Sequence, residues 1–286
     1  MEPLMRLESR AQPRSLAWSN PVSWWWAMLT LVSGVNIAAW ILMYRELHVA
    51  GTSGRVPGME IMLLLSAAYV FGCAFRSMLP RADVQRICLF DTWLSSVAIG
   101  RSVATVAEVA FAAQWTMILL QLGRMSGAET AVNAGWAIVP LILIAECFSW
   151  YAVVTTKYLY NAIENSLWAV AFFIAGIGLC RLLPEFNGAV RVVLGSAVVG
   201  IVFYIVFLIT VDVPMYLKRW RADVAGGNKM LRPLEGLRDV GTRWIVTHDI
   251  SEWREEIAWM SLYFSGAVWA SLALCVFYAV EGRVVG

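Results

Sequence analysis

The chain has 286 residues, of which 60% are hydrophobic and only 15% are charged, and its formal net charge is +2. Soluble domains usually carry about 25% charged residues, so this composition excludes an ordinary water-soluble domain. The small net charge, and the alternation of basic with acidic residues, also argue against nucleic acid as a partner. The sequence therefore predicts an integral membrane protein.

Seven apolar stretches are long enough to cross a bilayer, which requires about 20 residues per helix. Apolar residues run continuously through them rather than in alternation, which predicts helices and not the strands of a membrane barrel. The expected fold is all-α, a polytopic bundle forming one transmembrane domain over residues 24–286 after an N-terminal segment, 1–23. The expected spans are 24–44, 59–79, 92–122, 133–156, 163–183, 190–213 and 257–280.

The orientation is predicted from the distribution of lysine and arginine. The N-terminal segment is polar and lacks the apolar core of a cleaved signal peptide. Basic residues are concentrated on the N-terminal side, above all in the connection 215–256. By the positive-inside rule, we expect a cytoplasmic N-terminus and an extracytoplasmic C-terminus, most simply in the plasma (inner) membrane. Residues 235–256 suit either a solvated basic loop, which we favour, or a helix lying on the lipid headgroups.

Cysteine and histidine usage excludes several chemistries. The five cysteines lie in or beside apolar spans without a CxxC pair, so we expect structural thiols rather than a redox pair or zinc ribbon. The two histidines, His48 and His248, fall in connections on opposite sides of the predicted bundle. This excludes a HExxH zinc site, a bis-histidine haem and Ser–His hydrolysis within the membrane. No metal and no cofactor are expected.

Charged side chains inside the third span are the clearest functional signal. Arg101 and Glu108 share one helical face with Trp115. The rise per residue separates Arg101 from Glu108 by about 10 Å along the axis, so each is expected to need a partner from another helix or from water. A charge facing lipid at the centre of a helix costs about 2.5–3.5 kcal/mol. These side chains are therefore predicted to face the interior of the bundle.

The other spans add further polar candidates. Glu146 falls near the middle of the fourth span, on one face with Trp150 and Lys157. Glu164 opens the fifth span, where a favourable interaction with the helix dipole is the explanation that we favour for an acid. Asp212 closes the sixth span before Pro214, where an acid has the wrong sign for the dipole.

These residues form the predicted site. Because Arg101 cannot neutralise both Glu108 and Glu146, one acid at that depth can carry a proton near neutral pH. An arginine simply tying helices together through the same acids is an equally weighted alternative. The candidate catalytic residues are Glu108, Glu146 and Asp212, and the candidate substrate-binding residues are Arg101, Trp115, Trp150, Lys157 and Glu164.

The leading hypothesis is a membrane enzyme that performs carboxylate acid–base chemistry on a lipid or isoprenoid-like substrate in a cavity open to the cytoplasmic side. Isomerisation, cyclisation and hydrolysis all fit. The alternatives are a proton-coupled transporter or ion channel that uses the same carboxylates, and a structural subunit of a membrane complex. Expected partners are membrane lipid and a hydrophobic small molecule or a proton. Pairs of small residues allow helices to approach closely, and such faces could also join copies of the chain into an oligomer. The pairs are Ala171 with Ala175, Ser196 with Gly200, and Gly266 with Ala270.

Overall fold

The computed structural model describes residues 18–49, 56–228 and 230–285, so most of the predicted N-terminal segment, 1–17, lies outside it. In this part of the chain seven helices are long and apolar enough to span a membrane, as predicted, which indicates an integral membrane protein. Spans 1 to 5 are Pro21–Val49, Met59–Met78, Val97–Ser126, Glu129–Thr155 and Tyr158–Leu182. Span 6 runs through Gly188–Phe207, Leu208–Asp212 and Val213–Ala225, and span 7 through Ile250–Leu262, Tyr263–Ala267 and Val268–Val285.

The bundle places apolar side chains on its outside and polar ones within. Many large apolar residues are exposed, and Leu31, Leu64 and Phe203 are each 70% or 71% exposed. Soluble proteins rarely expose large apolar patches. Arg101 and Gln114, by contrast, are buried. This distribution fits a hydrocarbon surrounding.

Span 6 is longer than the sequence predicted. The sequence interpretation ended it at 213 because Pro214 lacks an amide hydrogen and its ring clashes with the carbonyl four residues back. The structure instead continues the helix to Ala225. A π-helical turn over Leu208–Asp212 precedes the proline, and the Val213 amide donates to the Leu208 carbonyl, five residues back. This wider turn lets the chain accommodate Pro214 without ending the helix.

The connections on the N-terminal side fold together into a compact cap, which we define as residues 79–96, 226–228 and 230–249. Strands β1 (Arg81–Ala82) and β2 (Ile87–Cys88) form an antiparallel hairpin, and β3 (Ile245–Val246) pairs with β2 in parallel. A helix, Pro233–Thr242, precedes β3. Residues 235–256 are therefore divided between this helix, β3 and the start of span 7. Whether the segment lies on the lipid headgroups or in solvent stays a prediction. The sequence concealed this fold because its strands are two residues long.

Two buried contacts fix the cap on the bundle. Arg86 is 2% exposed, and its Nε bonds Asp239 at 2.7 Å while its Nη2 donates to the Val153 carbonyl at 2.7 Å. A Cβ atom at Gly236 would lie 1.9 Å from the Val154 carbonyl oxygen, so the cap helix packs directly on the backbone of span 4. The cap is therefore joined to the end of span 4 by a hydrogen bond from Arg86 and by close packing, and the Arg86–Asp239 ion pair holds the two parts of the cap together.

Only one of the three predicted small-residue pairs lies at a tightly packed position within the bundle. Ala171 and Ala175 are buried within this chain, where they are not accessible to a second copy. The pairs on spans 6 and 7 instead line a cavity between those spans; they are Ser196, Gly200, Gly266 and Ala270. Their small side chains leave space rather than filling it.

Candidate functional site

Arg101 stands at the centre of three carboxyl groups from spans 3, 4 and 5. Its Nη2 lies 2.8 Å from Glu146 Oε2 and 3.1 Å from Glu108 Oε2. Its Nη1 lies 3.9 Å from Glu164 Oε1. The arginine and its partners are buried or nearly so. We call Arg101, Glu108, Glu146 and Glu164 the carboxylate cluster.

The direct contact between Arg101 and Glu108 corrects the expectation that two helical turns hold them apart. Each Cα–Cβ bond on a helix tilts toward the N-terminus, so the Glu108 side chain leans back toward Arg101. The long arginine side chain then covers the remaining distance, and the two groups meet at 3.1 Å. Axial rise alone overestimated their separation.

A layer of neutral donors holds the cluster in place. Thr105 donates its hydroxyl to Glu146 Oε2 at 2.5 Å and accepts from the Trp150 indole at 3.0 Å. Asn161 donates its side-chain amide to Glu164 Oε2 at 3.0 Å. These bonds orient the carboxyl groups without adding charge.

The cluster carries more acid than base. Three carboxylates around one guanidinium leave two negative charges if every acid is ionised, which is costly in a buried site unless protons or cations compensate. Oxygens from all three acids lie within 4.8 Å of one another, close enough to chelate a metal ion. The guanidinium of Arg101 already contacts all three, however, so it supplies part of the neutralising charge. The expectation of no bound metal stays a prediction.

Beside the cluster lies an elongated apolar cavity of about 650 Å³, bordered by spans 3, 5, 6 and 7. Along span 6 its lining runs from Val192 to Tyr216, which at 1.5 Å per residue is about 36 Å. Phe203 and Leu262 line it and are also 71% and 56% exposed. The cavity thus opens sideways between spans 6 and 7, toward the hydrocarbon that would surround the bundle.

Polar groups gather at one end of this cavity, the end nearest the cap. Glu108, Glu164 and Asp212 line it there, together with Arg76. The π-helical turn contributes to this arrangement, because it sets Phe207 and Asp212, five residues apart, on the cavity wall. Much of the remaining wall is aromatic: Phe111, Trp115, Trp168, Phe172, Phe203, Tyr204, Tyr216, Trp259, Tyr263 and Phe277.

The structure brings some of the sequence-predicted residues together and separates others. Glu108, Glu164, Asp212 and Trp115 line the cavity. Arg101 and Glu146 lie behind this wall, in contact with Glu108 and with each other. Trp150 and Lys157 do not line the cavity either: Trp150 supports Thr105 and packs near the cap, and Lys157 is half-exposed where span 5 begins.

Sequence reasoning missed Arg76, Tyr216, Trp259 and Glu256, which border the polar end of the cavity or the small pocket beside it. Arg76 was counted as a loop charge, although it lies within the last turn of span 2. The sequence did contain a signal: Arg76 follows Phe75 inside an apolar run, and an arginine in such a run is expected to be shielded from bulk water. Tyr216 and Glu256 were hidden by ending span 6 too early and beginning span 7 too late. Trp259 lay inside the predicted span 7, where nothing set it apart from the other aromatic residues.

The cap carries ionisable groups whose environment is also perturbed. Burial opposes ionisation of Asp83, but the guanidinium groups of Arg81 and Arg76 outweigh it and hold the pKa of this carboxyl below its ordinary value. Burial lowers the pKa of Arg81, against the opposing effect of Asp83. Burial raises the pKa of the Cys88 thiol to about 11, so this thiol is protonated and unreactive at neutral pH.

These features define a class: an integral membrane protein with a buried carboxylate–arginine cluster at the polar end of a cavity suited to a chain-like ligand. Family models, curated proteins and solved structures were compared with the chain, and none matches it. The function is therefore argued from the site.

Proposed function

We propose that this protein is an integral membrane enzyme that moves protons on an isoprenoid-like lipid, isomerising or cyclising its double bonds. The observation that carries the proposal is the apolar, aromatic-lined cavity with the carboxyl groups of Glu108 and Glu164 at its polar end. Carboxyl groups supply and accept protons, and the cavity length suits a long hydrocarbon chain.

The chemistry requires only protons. A protonated Glu108 adds its proton to one carbon of a double bond, which leaves a carbocation on the adjacent carbon. Glu164, ionised, then removes a proton from a neighbouring carbon, and a new double bond forms. If a second double bond attacks the cation first, the same two steps close a ring. No electron donor or acceptor takes part.

The aromatic wall supports this chemistry. Aromatic faces attract cations by about 0.5–2 kcal/mol each, and Trp115, Phe172 and Tyr263 surround the cavity beside Glu108. The apolar lining also excludes water, which would otherwise trap the cation as an alcohol. Isomerisation and cyclisation therefore fit this cavity better than hydrolysis does.

The cluster behind the wall supplies a route that resets the two acids. Glu146 lies within reach of both Glu108 and Glu164, since oxygens of the three groups are within 4.8 Å of one another. After each turnover Glu164 holds the proton that Glu108 has lost. Transfer through Glu146 returns it, and Arg101 offsets one of the two carboxylate charges that remain.

Transport is the competing hypothesis, in which the same carboxylates pass protons across the membrane. A relay of this kind requires polar groups in the half of the cavity away from the cap. Among the described residues, that half is lined by side chains such as Ile118, Leu179, Val192, Leu274 and Phe277. The geometry therefore favours a one-sided chemical site.

Deuterium uptake tests the proposal without requiring the exact product. The purified protein in nanodiscs is incubated in D₂O with farnesol, geranylgeraniol or squalene, and the lipids are examined by mass spectrometry. We expect deuterium on carbon in at least one of them, and a decrease of at least about 100-fold for Glu108→Gln or Glu164→Gln. Glu129→Gln, at the exposed start of span 4, is the matched control and should retain activity.

Two results would contradict the proposal. One is the absence of carbon-bound deuterium with all three lipids and with farnesyl phosphate. The other is uptake that Glu108→Gln and Glu164→Gln leave unchanged. Proton flux into sealed liposomes, lost in Glu108→Gln, would instead identify the transporter.

A further inference from the structure

A second, smaller pocket adjoins the polar end of the cavity. Its volume is about 80 Å³, and it lies between the cap hairpin and the ends of spans 2 to 7. Its charged lining residues are Arg76, Arg81, Arg101 and Arg219, with Asp83, Glu164 and Glu256. Apart from Arg101 and Glu164, these charged residues take no part in the proton chemistry described above.

One end of the polar pocket has more positive than negative charge. Arg81 Nε bonds Asp83 Oδ1 at 2.7 Å, and Arg76 Nη2 reaches Asp83 Oδ2 only at 3.7 Å. Two guanidinium groups thus share one carboxylate. The other acids of the pocket have donors of their own: Glu164 from Asn161, and Glu256 from Gln85, Arg219 and Trp259.

Two arginine donors in this pocket also lack acceptors. Among the described residues, Nε of Arg76 and Nε of Arg101 are buried and have no hydrogen-bond partner. The two residues are only 7% and 6% exposed, so bulk water does not replace the missing acceptor. Buried donors without partners are rare and costly. A negatively charged group in the pocket would offset the excess positive charge of Arg76 and Arg81, and it would bring acceptor oxygens to guanidinium groups whose donors are not all paired.

Arg76 also connects the polar pocket to the large cavity. It lines both spaces, as do Glu164, Tyr216 and Trp259. Its guanidinium lies 5.9 Å from the ring centroids of Trp259 and of Phe264, which position it. A group bound at Arg76 can therefore continue directly into the apolar cavity.

We propose that the polar pocket binds the phosphate of an amphiphile whose hydrocarbon chain occupies the large cavity, with Arg76 as the principal anchor. This inference rests on the proposed function, whose substrate it narrows to a phosphorylated isoprenoid-like lipid. Guanidinium groups match phosphate oxygens in geometry as well as charge. The phosphate fixes which double bond lies beside Glu108.

Binding of a matched ligand series tests the assignment in the intact protein. Farnesyl phosphate, farnesol, farnesylamine and inorganic phosphate are titrated into the nanodisc-embedded protein, and binding is followed by native mass spectrometry and by the shift in Tm. We expect farnesyl phosphate to bind about 10-fold or more tightly than farnesol, the value for one charge-assisted contact. Inorganic phosphate at equal concentration should bind far more weakly than farnesyl phosphate.

Variants then assign the effect to Arg76. Arg76→Gln should reduce the preference for phosphate to about threefold or less and leave the affinity for farnesol unchanged. Arg76→Lys, which keeps the charge, should retain part of the preference. Arg124→Gln, at the exposed end of span 3, is the control and should behave as the unmodified protein. The wild-type ligand series decides the question even if Arg76→Gln does not fold.

Equal affinity for farnesol and farnesyl phosphate would overturn the inference. Tighter binding of farnesylamine than of farnesyl phosphate would also overturn it, because the carboxylates would then bind a positively charged headgroup. Inorganic phosphate binding as tightly as farnesyl phosphate would make the pocket a site for free phosphate. If the lipids take up deuterium but the protein shows no preference for the phosphate, the phosphate site is rejected and the proposed proton chemistry stands. Phosphate preference without deuterium uptake on any lipid, including farnesyl phosphate, would reject the chemistry and leave a lipid-binding site.

Discussion

Arg101 is the residue that makes the buried acids tolerable. It contacts carboxyl groups from three different spans, at 2.8, 3.1 and 3.9 Å. Removing one partner of a buried ionic network leaves uncompensated charge and typically costs about 3–5 kcal/mol. The same residue therefore connects spans 3, 4 and 5 and controls how many protons the three acids hold.

Arg101→Gln is expected to lower the stability of the protein by about 3 kcal/mol or more. The measurement is Tm in detergent, compared with Arg124→Gln, whose side chain is exposed at the far end of the same helix. The control should be unchanged. An Arg101→Gln protein as stable as the control would show that the acids do not need this guanidinium.

Asp83 gives a prediction about pH. Its pKa is held below the ordinary value by Arg81 and Arg76, so its contribution to stability is present above the ordinary pKa of about 3.9. That contribution is lost as the pH falls through the lower value in the folded protein. Asp83→Asn should lower Tm at pH 7, and the difference from the wild type should shrink below about pH 4.

Thermal scans of both proteins between pH 7 and pH 3 provide the measurement. Asp223→Asn, which removes an acid bonded only to nearby Asn228 among the contacts that the structure describes, is the control. A difference between Asp83→Asn and the wild type that does not change with pH would contradict the assigned ion pairs.

The site was predictable only where a charge interrupted an apolar run. Arg101, Glu108 and Glu146 stood out because each lies well inside a long hydrophobic segment. Arg76 did not, because an arginine in the last turn of a helix is ordinary. Lys157 shared a helical face with Glu146, but span 4 ends at Thr155, before it. Sequence spacing could not reveal that break.

At the scale of elements, two π-helical turns shape the cavity. Leu208–Asp212 in span 6 and Tyr263–Ala267 in span 7 both border it. A π turn shifts the helical register, so side chains on either side of it face a common wall that a regular helix would not give them. The sequence signalled Pro214 but not the turn that accommodates it, because π turns have no simple residue pattern.

The cap helix, Pro233–Thr242, offers an internally controlled test of packing. Gly236→Ala places a Cβ atom 1.9 Å from the Val154 carbonyl oxygen, whereas a Cβ at Gly241 meets nothing within 4 Å. We expect Gly236→Ala to lower the free energy of unfolding by about 1–3 kcal/mol, and therefore to lower Tm. Gly241→Ala should be neutral or stabilising by about 0.5–1 kcal/mol, since alanine favours a helix.

Tm of the two purified variants is the measurement, and both substitutions lie in one short helix. Equal Tm values would contradict the close contact between the cap and span 4. The cap itself was not predictable, because its strands have two residues each and its pairing joins segments about 160 residues apart.

At the scale of the whole molecule, composition was enough to predict the class. The continuous apolar segments correspond to seven helices in the expected order, and their bounds differ most at the end of span 6 and at the start of span 7. The orientation remains a prediction. Arg76, Arg81 and Arg86 contributed to it, although in the folded protein all three are buried.

Cysteine labelling tests the orientation. Arg238→Cys and Glu185→Cys each introduce a thiol at an exposed position, on the cap side and on the opposite side. A membrane-impermeant maleimide applied to intact cells is expected to label Glu185→Cys and to label Arg238→Cys only after lysis. The reverse pattern would place the cap and the polar end of the cavity outside the cell.

In the proposed enzyme, the carboxyl groups that face the cavity hold an exchangeable proton, and their environment changes when a lipid binds. Difference infrared spectroscopy in nanodiscs measures this directly, using Glu108→Gln, Glu164→Gln and the control Glu129→Gln. We predict a protonated-carboxyl band that one of the first two variants removes, that the control retains, and that farnesyl phosphate shifts. If no such band exists, no lipid alters the spectrum, and the variants lose only thermal stability, then Arg101 and its acids are a structural lock and the proposed enzyme is contradicted.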